Sequence, residues 1–315
     1  MTIGKTLVIL NPVANKGKAR DSAPGIRARL EKEGIPNEIV LTDAPDRAWQ
    51  LAARAASEGF STVVAAGGDG TANEVVNGLM EASQGAPSPL YMGLLPIGRG
   101  NDFAAGADVP QDFGQALDCL VAGQTRPMDL GLIKGGDYPQ GRYFCNGVGI
   151  GFDTIVGLEA AKMTWARGAI GYIVGALKTF IAYPTPPDVT LRYAGNEVRC
   201  SPNIINIMNG RRLGGIFWMA PEGRNWDGLF DLCMPSRSFK RNELLGMILK
   251  YTKGAQAGDP RMIIGRGARF EIDAPGGGLV VHADGETICL DGTRLEIDCL
   301  PGRIPMICRA ERARP

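Results

Sequence analysis

In the first 126 residues, short apolar runs alternate with stretches whose apolar residues recur every three or four positions. Residues 6–10 (Thr-Leu-Val-Ile-Leu) form a buried-strand run closed by Asn11-Pro12, after which Ile26 and Leu30 share a helical face that Gly34 stops. Residues 38–42 read as a second strand. Trp49, Ala52, Ala53 and Ala56 then fall at i, i+3, i+4 and i+7 of a helix that Asp43 or Asp46 can cap and Gly59 ends. A third run, 62–66, precedes a helix carrying Val75, Val76, Leu79 and Met80, and residues 91–95 form a fourth. Strands alternating with helices imply a parallel sheet. Its ligands gather at the carboxyl ends of the strands, where Asn11, Thr42, Asp69 and Pro96 fall.

Beyond residue 126 the period shortens. Residues 128–133, 142–148, 189–193, 203–208, 229–234, 268–273, 278–282 and 294–299 read as strands separated by Gly, Pro and Asn. Two helices interrupt them, at 166–183 and at 239–254, the latter with Leu244, Leu245, Ile248 and Leu249 at helical spacing. The fold class expected is α/β plus β: a parallel-sheet nucleotide-binding domain and a mostly antiparallel second domain. A length of 315 residues favours two cores over one. The expected boundaries are 1–126, with 303–315 returning to it, and 127–302.

Charge narrows the partners. With 34 basic and 33 acidic residues and no run of like charge, nothing in the chain offers an electrostatic footprint for nucleic acid. Seven scattered cysteines without a C-x-x-C pair, and no signal peptide, point to reduced thiols in the cytoplasm and no structural zinc. The longest apolar stretch, 169–177, is far short of the roughly 20 residues that span a bilayer. The segment 170–181 reads as a core helix in preference to a membrane wedge.

The third strand empties into Gly67-Gly68-Asp69-Gly70-Thr71, followed by Ala72-Asn73-Glu74. A glycine turn at a helix N-terminus leaves backbone N–H groups for phosphate oxygens, and the carboxylate at its centre is a candidate Mg²⁺ ligand. An ordinary strand-to-helix turn also uses Gly and Asp, but it needs fewer glycines than this. A second glycine turn, Gly98-Arg99-Gly100-Asn101-Asp102, follows the fourth strand at the same sheet edge. Asp284-Gly285-Glu286 sets two carboxylates around a turn glycine; read alone it is equally a solvated hairpin turn. His282, the only histidine, reads as a strand residue, and 146–151 as a bulged strand whose glycines let two backbones approach.

Taken in order, Asn11-Pro12, Gly67 to Thr71 with Asn73-Glu74, residues 95–102, the Asn-Gly-Val-Gly-Ile-Gly-Phe-Asp run at 146–153, Asp227-Gly228-Leu229 and Asp284-Gly285-Glu286 resemble the diacylglycerol kinase catalytic-domain family. That family includes bacterial lipid kinases, sphingosine kinases and ceramide kinases. The resemblance covers nearly the whole chain and implies a fold like that of NAD kinases and phosphofructokinases in the first domain. It implies ATP surrounded by Asn11, Pro12, Val13, Ala14, Asn15, Thr42, Gly67, Gly68, Asp69, Gly70, Thr71, Ala72, Asn73, Arg99 and Asp102. It implies a catalytic Mg²⁺ oriented by Asp69 with Asp102 and Asp129, and a structural Mg²⁺ at Arg224, Asp227 and Leu229. Glu286 would accept the proton of the lipid hydroxyl, with Asp284 beside it.

The activity implied is transfer of the γ-phosphoryl group of ATP to a membrane-derived lipid at the bilayer surface, diacylglycerol being the family default. The protein would then be cytoplasmic and peripherally membrane-associating; a homodimer stays open. The chain departs from the family at Arg99, where a Thr is usual, and at Ala14-Asn15, where the first loop usually ends in Ser-Gly. A guanidinium can touch a phosphate but does not imitate a hydroxyl packed against a nucleotide. The alternatives are an NAD kinase-like small-molecule kinase and a catalytically degenerate nucleotide- or lipid-binding protein.

Overall fold

The computed structural model describes residues 3–161, 180 and 185–310. The helix expected at 166–183 and the apolar stretch at 169–177 lie outside the described residues, apart from Phe180. Internal contacts divide the chain into two compact units. Unit 1 comprises Met1–Leu130, Asn225–Gly228 and Leu300–Pro315; unit 2 comprises Gly131–Arg224 and Leu229–Cys299.

Unit 1 begins with β1 (Thr6–Leu10), α1 (Ala23–Lys32), β2 (Asn37–Leu41), α2 (Arg47–Arg54), β3 (Thr62–Gly67), α3 (Asp69–Ala82) and β4 (Tyr91–Pro96). α4 (Asp102–Gly106) and α5 (Phe113–Ala122) follow, and β5 (Thr125–Gly135) leads into unit 2. The strands lie in the order β2-β1-β3-β4, all parallel. β1 and β3 are buried at every position, which is why they read as continuous apolar runs and not as alternations. Leu10 pairs with both Leu41 and Ala66, and Ala66 with Leu95. This register brings Asn11, Thr42 and Gly67 to one edge, with Pro96 opposite Gly67.

α2 and α3 meet at Gly78, where a Cβ would come 2.4 Å from the Trp49 carbonyl oxygen. The cap expected from Asp43 or Asp46 comes from elsewhere. Asp46 occupies the N-cap in a left-handed conformation and makes no side-chain cap, while Glu74 Oε2 on α3 accepts the Ala48 N–H at 3.0 Å. Burial pushes the Glu74 carboxyl above its ordinary range, against the Ala48 and Asp46 amides that favour the ionised form.

Unit 2 continues with β6 (Tyr138–Phe144), β7 (Gly147–Gly151), α6 (Phe152–Ala161), β8 (Val189–Tyr193), β9 (Asn196–Cys200), β10 (Ile204–Met208) and β11 (Phe230–Pro235). Then come α7 (Arg241–Tyr251), β12 (Met262–Gly267), β13 (Arg269–Asp273), β14 (Leu279–Ala283), β15 (Glu286–Gly292) and β16 (Arg294–Ile307). One sheet, β12-β11-β10-β7-β14-β15, is antiparallel throughout. Opposite it, β9, β8, β13 and the first part of β16 pair antiparallel, and β5 pairs with β6. Side chains alternating inward from both layers, among them Phe144, Ile150, Ile207, Phe230, Phe270 and Val281, form one core. The outer face of the first sheet is buried by α6 and α7 through Phe152, Val156, Leu244, Met247 and Tyr251. β16 ends in unit 1, where Met306 pairs parallel with Met92 of β4.

The single strand expected at 142–148 is two strands, β6 and β7, parted at Cys145-Asn146. β9, β12 and β15 carry polar residues or paired glycines that hid them from the pattern. Among the described residues no helix is long and apolar enough to cross a membrane.

The end of unit 2 that carries α7 is pinned by ion pairs. Arg237 and the Lys240 amide hold the Glu243 carboxyl down to about 2, and Arg261 with Lys250 holds Asp259 well below the carboxylate range. Both native pKa values lie below the unfolded ones near 4, so the stability they contribute is complete above that range and is lost as pH falls through the native values. Melting measured at stepped pH is expected to drop from about pH 5 toward about 2. Glu243→Gln should flatten that slope, and 0.5 M salt, on the order of a 4 Å screening length, should do so in part.

Candidate functional site

In unit 1 the carboxyl edge of the parallel sheet is built from two glycine turns that touch. A Cβ on Gly98 would lie 2.4 Å from the Gly68 Cα, and one on Gly67 would overlap the Thr71 side chain. Only backbone fits where the turns cross. Gly68 is the N-cap of α3, so the amides of that first turn open at the same edge. Asn11 ties in the first loop, donating from Nδ2 to Thr71 Oγ1 at 3.2 Å and accepting the Val13 N–H on Oδ1 at 3.1 Å.

Beyond it, Asn15, Lys16 and Gly17 all take positive φ, at 50°, 60° and 88°, a conformation that costs non-glycine residues on the order of 1 kcal/mol each. Such backbone persists where surrounding structure imposes it. Pro12 and Ala14 are half-buried and Val13 exposed; Thr42 is held by its amide on the Leu10 carbonyl at 2.9 Å.

Asp69 links the turns. Its Oδ1 accepts the Phe103 N–H at 3.0 Å, in the first turn of α4. The place where a Gly100 Cβ would stand is 2.9 Å from Asp69 Oδ2 and 3.5 Å from Asp102 Oδ2. Two carboxylates from separate motifs thus converge on a glycine with no side chain to separate them. They are hard oxygen donors of the kind that holds Mg²⁺ together with phosphate oxygens and water. Among the described residues no group of three or more His, Cys, Asp or Glu side chains is placed to hold a metal.

The remaining expected residues fall in different places. Gly70 and Arg99 are exposed, Ala72 is buried, and Asn73 is buried inside α3, where its carboxamide oxygen accepts Asn77 Nδ2 at 3.2 Å. Asp129 is 2 % exposed, and its two oxygens accept the Gly228 N–H at 2.7 Å and the Gly302 N–H at 2.8 Å. With the Asp129 N–H on the Asn225 carbonyl, these bonds hold the 225–228 excursion and the returning strand to unit 1. The reading of Asp129 as a metal-orienting group therefore meets a carboxylate already engaged in chain tethering. Asp227 belongs to that excursion and is exposed, while Arg224 and Leu229, on either side of it, belong to unit 2.

In unit 2, Asp284 and Gly285 take φ of 50° and 89° between the paired residues Ala283 and Glu286. This is the positive-φ two-residue hairpin that Asp-Gly favours. The Asp284 carboxylate meets the break between β6 and β7. Its Oδ2 accepts the Cys145 N–H at 2.7 Å and faces Cys145 Sγ at 3.0 Å, and its Oδ1 accepts the Asn146 and Gly147 N–H groups at 2.9 Å each. The break between β6 and β7 leaves three amides to be satisfied, and Asp284 supplies the acceptor. Glu286 is half exposed and lies 4.0 Å from the guanidinium of the buried Arg142.

The sequence names Gly100 only as a turn glycine and gives no sign of the Phe103 amide, of Arg142 or of the 68–98 contact as parts of the site. The doubled glycines of both turns were the available signal; the partners across 30 residues were not. Gly98→Ala is expected to destabilise unit 1 by about 1–3 kcal/mol, because backbone and not a flexible side chain must give way. Thermal melting checks it, and a wild-type melting temperature would overturn the contact.

Comparison with known proteins places this architecture. Residues 5–133 match the diacylglycerol kinase catalytic domain, and residues 146–308 match the YegS C-terminal NAD kinase beta sandwich-like domain. The chain is 30% identical over 307 residues to "Diacylglycerol kinase" of Mycobacterium tuberculosis, covering 97% of this chain and 95% of that one. It is 32% identical over 311 residues to "Probable lipid kinase YegS" of Salmonella typhimurium, covering 96% and 97%. Among solved structures, a diacylglycerol kinase from Bacillus anthracis superposes with a TM-score of 0.71 at 21% identity over 97% of each chain. Yeast NADH kinase complexed with NADH shares the fold at a TM-score of 0.53 and 9% identity, over 99% of this chain and 84% of that one. With two family models spanning both units in order, and full-length relatives at 30% identity or more, the chain belongs to the diacylglycerol kinase-like family of lipid kinases.

Proposed function

We propose that this protein is an ATP- and Mg²⁺-dependent lipid kinase that transfers the γ-phosphoryl group to the hydroxyl of diacylglycerol, giving phosphatidic acid at a bilayer surface. The observation that carries the reading is the convergence of Asp69 and Asp102 on Gly100 at the carboxyl edge of the parallel sheet. Phosphoryl transfer asks for charge neutralisation and alignment more than for covalent chemistry. The α3 amides and the backbone of the two abutting turns receive the phosphates, and Asn11 holds the first loop against Thr71. Asp69 and Asp102 are the residues that would hold Mg²⁺, which neutralises developing charge on phosphate oxygens when bound. Arg99, exposed in the second turn, would meet a phosphate from the solvent side.

Glu286 accepts the hydroxyl proton, and Asp284 fixes the turn that carries it. An acyl-bearing acceptor rests on the family; the apolar cavity in unit 2, lined by Ile150, Phe152, Ile155, Val189, Ile205 and Leu279, is small, about 90 Å³.

The test is transfer of labelled γ-phosphate from ATP and Mg²⁺ to diacylglycerol, sphingosine, ceramide and NAD. Labelled phosphatidic acid, formed from diacylglycerol and absent with the Asp69 variant described below, is expected. Label on NAD alone would move the reading to a small-molecule kinase, and ATP binding without any product would make the protein a binding module.

A further inference from the structure

The lone histidine is tied to the same turn. Gly285 N–H donates to His282 Nδ1 at 3.2 Å, so the D-G-E turn is held from two sides, by Asp284 onto 145–147 and by His282 onto Gly285. An Nδ1 that accepts an N–H leaves the ring proton on Nε2, which lies 3.6 Å from Asp153 Oδ2. That separation is too long for a direct hydrogen bond and short enough for attraction. Asp153 is itself fixed: Asn206 Nδ2 donates to Oδ2 at 2.8 Å, and the Thr154 N–H donates to Oδ1 at 2.8 Å. The ring and the carboxylate meet above Gly149, which pairs with His282 across β7 and β14. A Cβ there would stand 2.2 Å from Asp153 Oδ2 and 2.4 Å from His282 Nε2. One glycine and the terminal Asp of the 146–153 run, which phosphate binding leaves without a task, thereby make room for the imidazole and orient it.

We propose that His282 is a positioning residue for Glu286: Asp153 and Gly149 set the ring, Nδ1 holds the Gly285 amide, and that bond fixes the residue preceding Glu286. The proposal rests on the reading of Glu286 as proton acceptor. A base must sit within hydrogen-bond reach of its proton, and a displacement of about 1 Å costs on the order of 10²-fold.

The test compares full-length His282→Leu, His282→Gln and His282→Asn with wild type and with Glu286→Gln, in kcat, KM for ATP and melting temperature. Leu removes the acceptor at similar volume. Gln keeps a polar end toward Asp153 with no acceptor at the Nδ1 position, and Asn restores an acceptor there. The expected result is a kcat loss of about 10–100-fold for Leu and Gln at unchanged KM for ATP, with Asn within about fivefold of wild type.

Adding His282→Leu to Glu286→Gln should lower kcat no further. Wild-type kcat in Leu and Gln, equal losses in all three, or a loss that follows melting temperature would overturn the His282 role while leaving an inactive Glu286→Gln to support the base. Wild-type turnover in Glu286→Gln would remove the base assignment and this role with it.

Discussion

Asp69→Asn is expected to lower kcat by about 10³-fold or more while the protein melts at its wild-type temperature. Asparagine keeps an oxygen for the Phe103 N–H, so the tie between the two glycine turns survives. What it removes is the charge that converges with Asp102 on Gly100. Alanine is the blunter variant: it strips the acceptor from Phe103 as well, at a cost of about 1–3 kcal/mol, and so mixes a folding effect into the rate. Label transfer and calorimetric ATP binding, with and without Mg²⁺, separate the two. An Asn variant that turns over normally would show that the carboxylate is a cap and nothing more.

Glu286→Gln should leave ATP binding intact and remove about 10²–10⁴-fold of turnover, the contribution of a positioned base. The side chain is half exposed, and the Arg142 guanidinium is 4.0 Å away. Loss of the charge should therefore change stability by no more than about 0.5 kcal/mol. Single-turnover transfer, melting and ATP titration on one preparation check all three expectations. Undiminished turnover would take Glu286 out of the mechanism.

The alternating βα half was open to a reader of the chain because its information is local. β1, β3 and β4 are short apolar runs closed by turn residues, and the helices between them repeat at 3.6 residues. Where the cue was not local the reading faltered. The α2 cap was assigned to a neighbouring Asp, and the structure takes it from Glu74, 26 positions away. The 142–148 run looked like one strand, since nothing nearby announces that Asp284 will capture its amides 137 to 139 residues downstream.

The candidate chemistry divides in the same way. The turns at 67–71, 98–102 and 284–286 are visible because backbone of positive φ or close approach demands Gly, Asp or Asn at particular places, a constraint written within five residues. Their partners are not visible. That Gly68 lies against Gly98, that Asp69 and Asp102 share Gly100, and that Asp284 binds the amides of 145–147 all follow from strand register and sheet order. By itself the sequence determined the elements of the βα half, the glycine turns, the supply of carboxylates and, through the order of its motifs, the family. Only the tertiary structure decided which carboxylates converge and which are consumed as structural acceptors, because hydrogen-bond saturation depends on groups brought together from distant parts of the chain.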